Sequence, residues 1–179
     1  MNELKLFDYI YKLKNTKRKG WTRFIDDVES VADHSYGVSL LSYFIGSKLN
    51  IDVNKILKLG LIHDLSESIV GDITPHENMN EKQKKELEIK AITKISNEIN
   101  FIELKELFIE YENQETKEAI LVKDIDKLEM CMQALNYERD HNIDLTEFFI
   151  YSEKLLNLDE SKKIFQEIIG ERKVKKNKS

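Results

Sequence analysis

Cysteine, proline and glycine are scarce in this chain of 179 residues, at one, one and six. The single cysteine, Cys131, excludes an internal disulfide framework and suits a reducing cytoplasm. Flanked by Met130 and Met132, it reads as core packing. So few prolines and glycines leave few places for turns, which favours long helices over many short strands. Long apolar runs are also missing. The greasiest stretch, Val38 to Gly46, is broken by Ser39 and Ser42 and is too short to span a membrane. The first residues, Met1-Asn2-Glu3-Leu4-Lys5, lack the apolar segment of a signal peptide. Positive charge is not in excess: 28 Lys and Arg against 33 Asp and Glu give −5, which excludes a general polyanion binder. Only residues 171–179 are strongly basic. They are expected to form a frayed tail without specific nucleic-acid binding.

What is present suits one all-α domain, a single helical bundle over residues 1–170. Apolar residues make up 41% and charged residues 34%, with Glu, Lys, Leu and Ile prominent. Leu4, Phe7, Ile10 and Tyr11 recur at helical spacing and predict a helix over 2–15. Gly20 follows as a plausible stop, and Trp21 to Phe24 reads as a loop or short turn. Val38, Leu41, Ile45 and Leu49 define a second helix, capped by Ser30 or Asp33, with His34 continuing its inward stripe. Asp52 caps a third, carrying Ile56, Leu59, Gly60 and His63 on one stripe. Gly71 and Pro75 end the regular structure. A charged helix spans 80–99 with Leu87, Ile92, Ile95 and Ile99 as its apolar stripe, and a shorter one spans 101–111. Residues 115–137 form a further helix with Leu121, Ile125, Leu128, Met132 and Leu135 inward. Segments 145–158 and 161–169 close the bundle.

The chemistry gathers around Leu59-Gly60-Leu61-Ile62-His63-Asp64-Leu65-Ser66-Glu67. An imidazole and a carboxylate on consecutive residues can reach one ion from neighbouring directions. Glu67 follows His63 by four residues and Asp64 by three, so on a helix all three share a side. Taken alone, such a pair is more often a solvated helix end. An inward His34 is likewise more often a satisfied core residue. Asp124 and Asp126 flank Ile125, and periodicity leaves open which of them faces inward. Trp21 with Lys17, Arg18, Lys19 and Arg23 is either an anion-facing segment with an aromatic wall or an anchored loop. Asp72 sits on a bend where aspartate is common.

Longer motifs add specificity. They are Gly20-Trp21 followed by an arginine, Glu29-Ser30-Val31-Ala32-Asp33-His34, His63-Asp64 through Ile73, Tyr111-Glu112-Asn113-Gln114, and Leu121 to Met130. In this order, from about residue 5 to 160, the chain resembles the short 5'-deoxynucleotidases of the HD superfamily of metal-dependent phosphohydrolases. The resemblance implies an HD-type helical bundle and four metal ligands, His34, His63, Asp64 and Asp126. Asp126 is preferred to Asp124 because it precedes a Leu-containing run, as in the family pattern. It also implies catalytic roles for Glu67 and Asp72, and substrate contacts by Arg23 and Trp21. The segment after Trp21 is one residue short of the pattern, so Arg18 is the alternative arginine. Two imidazoles and two carboxylates suit one divalent Mn, Co, Fe, Ni or Zn better than Mg or Ca.

The implied reaction is hydrolysis of 2'-deoxyribonucleoside 5'-monophosphates. Glu67 would orient or deprotonate water, an arginine would fork onto phosphate, Asp72 would meet the sugar or leaving oxygen, and Trp21 would wall the sugar. A cytoplasmic homodimer acting on a small nucleotide is expected. The alternatives are an HD hydrolase acting on another nucleotide and, from a different class, a non-catalytic HD binding module. Such a module would be expected to lose ligands or the glutamate.

Overall fold

The computed structural model describes residues 1–74, 76, 77 and 79–176. Pro75, expected to end regular structure, lies outside the described residues, as do residues 177–179. Among the described residues ten helices follow one another: α1 Asn2–Asn15, α2 Lys19–Thr22, α3 Val31–Lys48, α4 Val53–Ile62, α5 Glu67–Val70, α6 Glu81–Ile99, α7 Ile102–Asn113, α8 Lys117–His141, α9 Thr146–Leu155 and α10 Asp159–Lys176. Among the described residues the only β pairing is an isolated bridge, Lys17 with Ser30, which ties the end of α1 to the start of α3. No described helix is long and apolar enough to cross a membrane.

Local signals set the helix starts. Ser30 and Asp33 act together: the Ser30 hydroxyl accepts from the Asp33 amide, and the Asp33 carboxylate accepts from the Ser30 amide. Asp52 caps α4 through the Lys55 amide. Gly20 stops no helix but lies inside the short α2, because α1 has already ended at Asn15.

The 25-residue α8 is central. Leu121, Val122 and Ile125 pack with Val38, Ile45, Ile56 and Leu59 from α3 and α4. Farther along, Leu128, Cys131 and Ala134 pack with Phe149, Phe165 and Ile168 from α9 and α10. A third cluster joins α1 to α6 and α7. There α1 turns inward with Tyr9, Leu13 and part of Leu6, while Leu4, Phe7, Ile10 and Tyr11 stay exposed. The inward choice is fixed by α6: the Tyr9 hydroxyl donates to Glu98 at 2.6 Å. On α6 itself Leu87 is exposed and Glu88 is buried in its place. The last helix continues to Lys176, well into the stretch expected to fray. Arg172 holds it down, bonding Glu138 at 2.6 and 2.8 Å and lying over the Phe149 ring.

Gly60 has a specific use. A Cβ there would stand 3.0 Å from the Ser39 Cα, so its absence lets α4 press against α3. That approach brings the end of α4 alongside His34.

Candidate metal centre

α4 stops at Ile62. His63 to Ser66 then continue as tighter turns, with Leu65 N–H to the Ile62 carbonyl and Glu67 N–H to the Asp64 carbonyl, both at 3.0 Å. This differs from the continuous helix expected through Glu67. The tightening presents His63 and Asp64 at a helix end, with Glu67 opening α5 beside them.

Four ligand-type atoms from three segments meet here. His34 Nε2 lies 3.3 Å from His63 Nε2, 3.7 Å from Asp64 Oδ2 and 3.2 Å from Asp126 Oδ1. His63 Nε2 lies 3.3 Å from Asp64 Oδ2. Atoms bound about 2.1 Å from one ion stand roughly 3–3.5 Å apart, so the set has the spacing of a coordination shell. Two neutral imidazoles and two carboxylates also balance a divalent charge. By donor type and spacing, the residues fit such an ion.

The other atom of each group is held from behind. His63 Nδ1 lies 2.8 Å from the Gly60 carbonyl, so it carries the hydrogen and donates it, leaving Nε2 facing the cluster. His34 Nδ1 lies 2.5 Å from Glu129 Oε2. Asp126 Oδ2 accepts from Lys127 Nζ at 2.8 Å and from the Tyr111 hydroxyl at 3.4 Å. Arg18 Nη1 stands 3.4 Å from Asp64 Oδ2 and 3.7 Å from Asp72 Oδ1. The Asp72 carboxylate also accepts the Lys19 amide at 2.7 Å, which pins the start of α2 to the 71–74 bend. Gly71 makes that bend with φ of 78°, a left-handed backbone that disfavours side chains.

The electrostatics follow from burial. Burial pushes the Asp64 carboxyl up, but His63, Arg18 and His34 outweigh it and hold the group well below the ordinary carboxylate range. Asp126 is also held low, with Lys127 and His34 overcoming burial. Glu67 is the opposite case. Burial, then the charges of Asp64 and Asp72, push its carboxyl well up, and Arg18 and Lys84 only partly offset them. Its Oε2 is buried with no hydrogen-bond partner. A buried carboxyl with raised proton affinity beside other carboxylates suits a base.

Of the expected site residues, His34, His63, Asp64, Asp126, Glu67, Asp72 and Arg18 converge. Asp124 is excluded by its bonds: its carboxylate accepts the Asn157 and Leu158 amides and the Asn157 side chain. Arg23, expected at the substrate, points elsewhere. It is exposed, bonds Glu147 at 2.7 Å and touches His76. Its fallback, Arg18, lies instead beside Asp64 and Asp72. Trp21 is a second correction. Its ring is 2% exposed, packed on Phe148 and edge-on to Tyr137, so it walls no substrate. Its Nε1 donates to Glu29 at 2.8 Å. Sequence reasoning gave no role to Glu29, Glu129, Tyr111 or Lys127, although all four lie in the quoted motifs; their polarity in otherwise apolar helical stretches was the available signal.

A family model described as HD domain matches residues 10–169. The chain belongs to the HD-domain family. It is 42% identical over 151 residues to the 5'-deoxynucleotidase hdd1 of Schizosaccharomyces pombe, covering 79% of this chain and 76% of that one. It is 40% identical over 164 residues to the 5'-deoxynucleotidase HDDC2 of Dictyostelium discoideum, covering 83% and 86%. Among solved structures, a conserved hypothetical protein from Pyrococcus furiosus superposes with a TM-score of 0.78 at 36% identity, over 95% of this chain and 98% of that one.

Proposed function

We propose that this HD-domain protein is a metal-dependent phosphatase of 2'-deoxyribonucleoside 5'-monophosphates, releasing the deoxyribonucleoside and phosphate. One observation carries the reading. His34, His63, Asp64 and Asp126 gather ligand atoms at coordination spacing, in a chain similar over most of its length to proteins named 5'-deoxynucleotidases.

Those four residues would hold one divalent ion of the Mn, Co, Fe, Ni or Zn type. When bound, such an ion acidifies a water and withdraws charge from a phosphoryl oxygen. The chain's own groups do the rest. Arg18, steadied by Asp72, offers a guanidinium fork to the phosphate. Hydrolysis takes one proton from water and returns one to the leaving 5'-oxygen. Glu67, with its raised proton affinity and free oxygen, is the group suited to accept the first. Asp72 acts through Arg18 and the α2 start rather than as a sugar ligand.

The preference for deoxyribose rests on the relatives' names. Burying an unpaired 2'-hydroxyl costs on the order of 1–3 kcal/mol, or roughly five- to over a hundredfold in rate. A homodimer belongs to the same reading. Tyr36, Leu40, Tyr43 and Phe44 make an exposed apolar face along α3 of the kind that copies of a chain cover. So does a cytoplasmic location, in keeping with a nucleotide substrate and the free, buried Cys131.

The test strips the protein of metal, restores divalent ions singly, and measures phosphate release from deoxyribo- and ribonucleoside mono-, di- and triphosphates. Metal-dependent release from the deoxyribonucleoside monophosphates above all others is expected. Equal hydrolysis of AMP and dAMP under one metal would reduce the reading to a general HD phosphohydrolase. Release without metal would overturn it.

A further inference from the structure

Behind His34, on the side away from the ion site, lies a group of buried and half-buried side chains that the reaction does not use. Glu129 Oε2 meets His34 Nδ1 at 2.5 Å. Glu29 joins them, with ligand-type atoms of all three residues within 4.8 Å of one another. Glu29 is fixed twice: its carboxylate accepts the Trp21 indole hydrogen at 2.8 Å, and its amide donates to the Tyr137 hydroxyl at 2.8 Å. Gly37 completes the arrangement. A Cβ there would stand 2.7 Å from Glu129 Oε1, so only glycine leaves the carboxylate its place.

The cluster itself is a poor second ion site. His34 has two ring nitrogens, and Nε2 already faces His63, Asp64 and Asp126. The remaining nitrogen, Nδ1, can serve Nε2 best by carrying the hydrogen. A carboxylate accepting that hydrogen fixes the tautomer, locks the ring plane and raises the basicity of Nε2.

We propose that Glu129 is the positioning residue for His34, holding it as the Nδ1–H tautomer with Nε2 aimed at the ion, and that the bare Gly37 leaves Glu129 the room to do so. This rests on His34 being a metal ligand.

The test reads metal affinity and tautomer, not turnover alone. Cobalt(II) affinity is measured by competition with a chelator in the wild type, Glu129→Leu, Gly37→Ala and His34→Ala. Outer carboxylates of this kind are typically worth roughly 10–100-fold in metal affinity. Glu129→Leu should lose that much, with a shifted cobalt absorption spectrum. Gly37→Ala, whose new Cβ would press first on the Glu129 side chain, should lose in the same direction, and the double variant should lose little more than Glu129→Leu. Glu129→Gln, which keeps the shape and an acceptor oxygen, should recover part of the loss. Nitrogen-15 shifts of labelled histidine in the zinc-loaded wild type should show His34 Nδ1 protonated. A folded Glu129→Leu with wild-type affinity, or a His34 protonated on Nε2 in the loaded protein, would overturn the inference. If His34→Ala alone weakens binding, only this inference fails. If His34→Ala binds as tightly as the wild type, the ligand assignment beneath it fails.

Discussion

Asp124 and Asp126 sit two residues apart on α8 and are both buried, yet their surroundings differ completely. Asp124 is saturated. It accepts two backbone amides and a side-chain amide from Asn157 and Leu158, and so fastens the turn between α9 and α10 to the bundle. Asp126 is tied on one oxygen by Lys127 and Tyr111, while its other oxygen faces His34 Nε2 among the ligand atoms. Burial alone therefore says little about a carboxylate's purpose. What separates the two is whether the lone pairs are spent on backbone N–H groups or left toward a shared centre. The two arginines repeat the contrast: Arg18 is half-buried between Asp64 and Asp72, and Arg23 is exposed on Glu147.

The largest effect expected short of losing the ion is at Glu67, whose Oε2 is buried without a hydrogen-bond partner. Glu67→Gln should keep fold and metal and lower kcat by ~10²–10⁴-fold. Near-full turnover with metal bound would remove Glu67 from the mechanism. Next come the arginines. Arg18→Gln should lower kcat/KM for a deoxyribonucleoside monophosphate by roughly 10–100-fold, the worth of about 1.5–3 kcal/mol of charged hydrogen bonding. Arg23→Gln should stay within about twofold, and steady-state kinetics on both variants would show a reversal at once.

Asp124→Ala should leave kcat nearly unchanged and act on stability. Stranding buried amides of residues 157 and 158 should cost about 2–4 kcal/mol, or roughly 5–15 °C in Tm for a chain of this size. Calorimetry decides it. The smallest effect is expected at Glu88, a buried carboxylate that is neither saturated nor at the centre. Burial pushes its pKa to about 7, with Lys84, 3.7 Å away, offsetting only part. The folded protein thus holds a proton there that the unfolded chain releases near 4.5. This contribution is present below that pH and is lost as pH rises through about 7. Glu88→Gln should then raise Tm relative to the wild type more at pH 8 than at pH 5. An equal change at both would contradict the assignment.

Much of this was legible in the residues. Scarce proline and glycine with apolar periodicity indicated an all-helical bundle, and the Ser30, Asp33 and Asp52 caps stood at the right starts. Spaced motifs brought His34, His63, Asp64 and Glu67 together. Asp124 and Asp126 could not be separated by periodicity, because each lies about 100° from Ile125 on α8 and both flanks are buried. Trp21 was misread because an aromatic beside basic residues looks the same whether it turns outward or, as here, inward onto Phe148 and Tyr137. The stripe on α1 was ambiguous for a related reason: that helix has apolar residues on two sides, and its packing against α3, α5 and α6 selects Tyr9 and Leu13.

Asp126, not Asp124, would complete the ion site. Metal content per chain, measured by mass spectrometry on purified Asp126→Asn and Asp124→Asn after equal loading, tests this most directly. The account predicts a clear loss of metal in Asp126→Asn and a full complement in Asp124→Asn. A full complement in Asp126→Asn, with loss in Asp124→Asn, would contradict it.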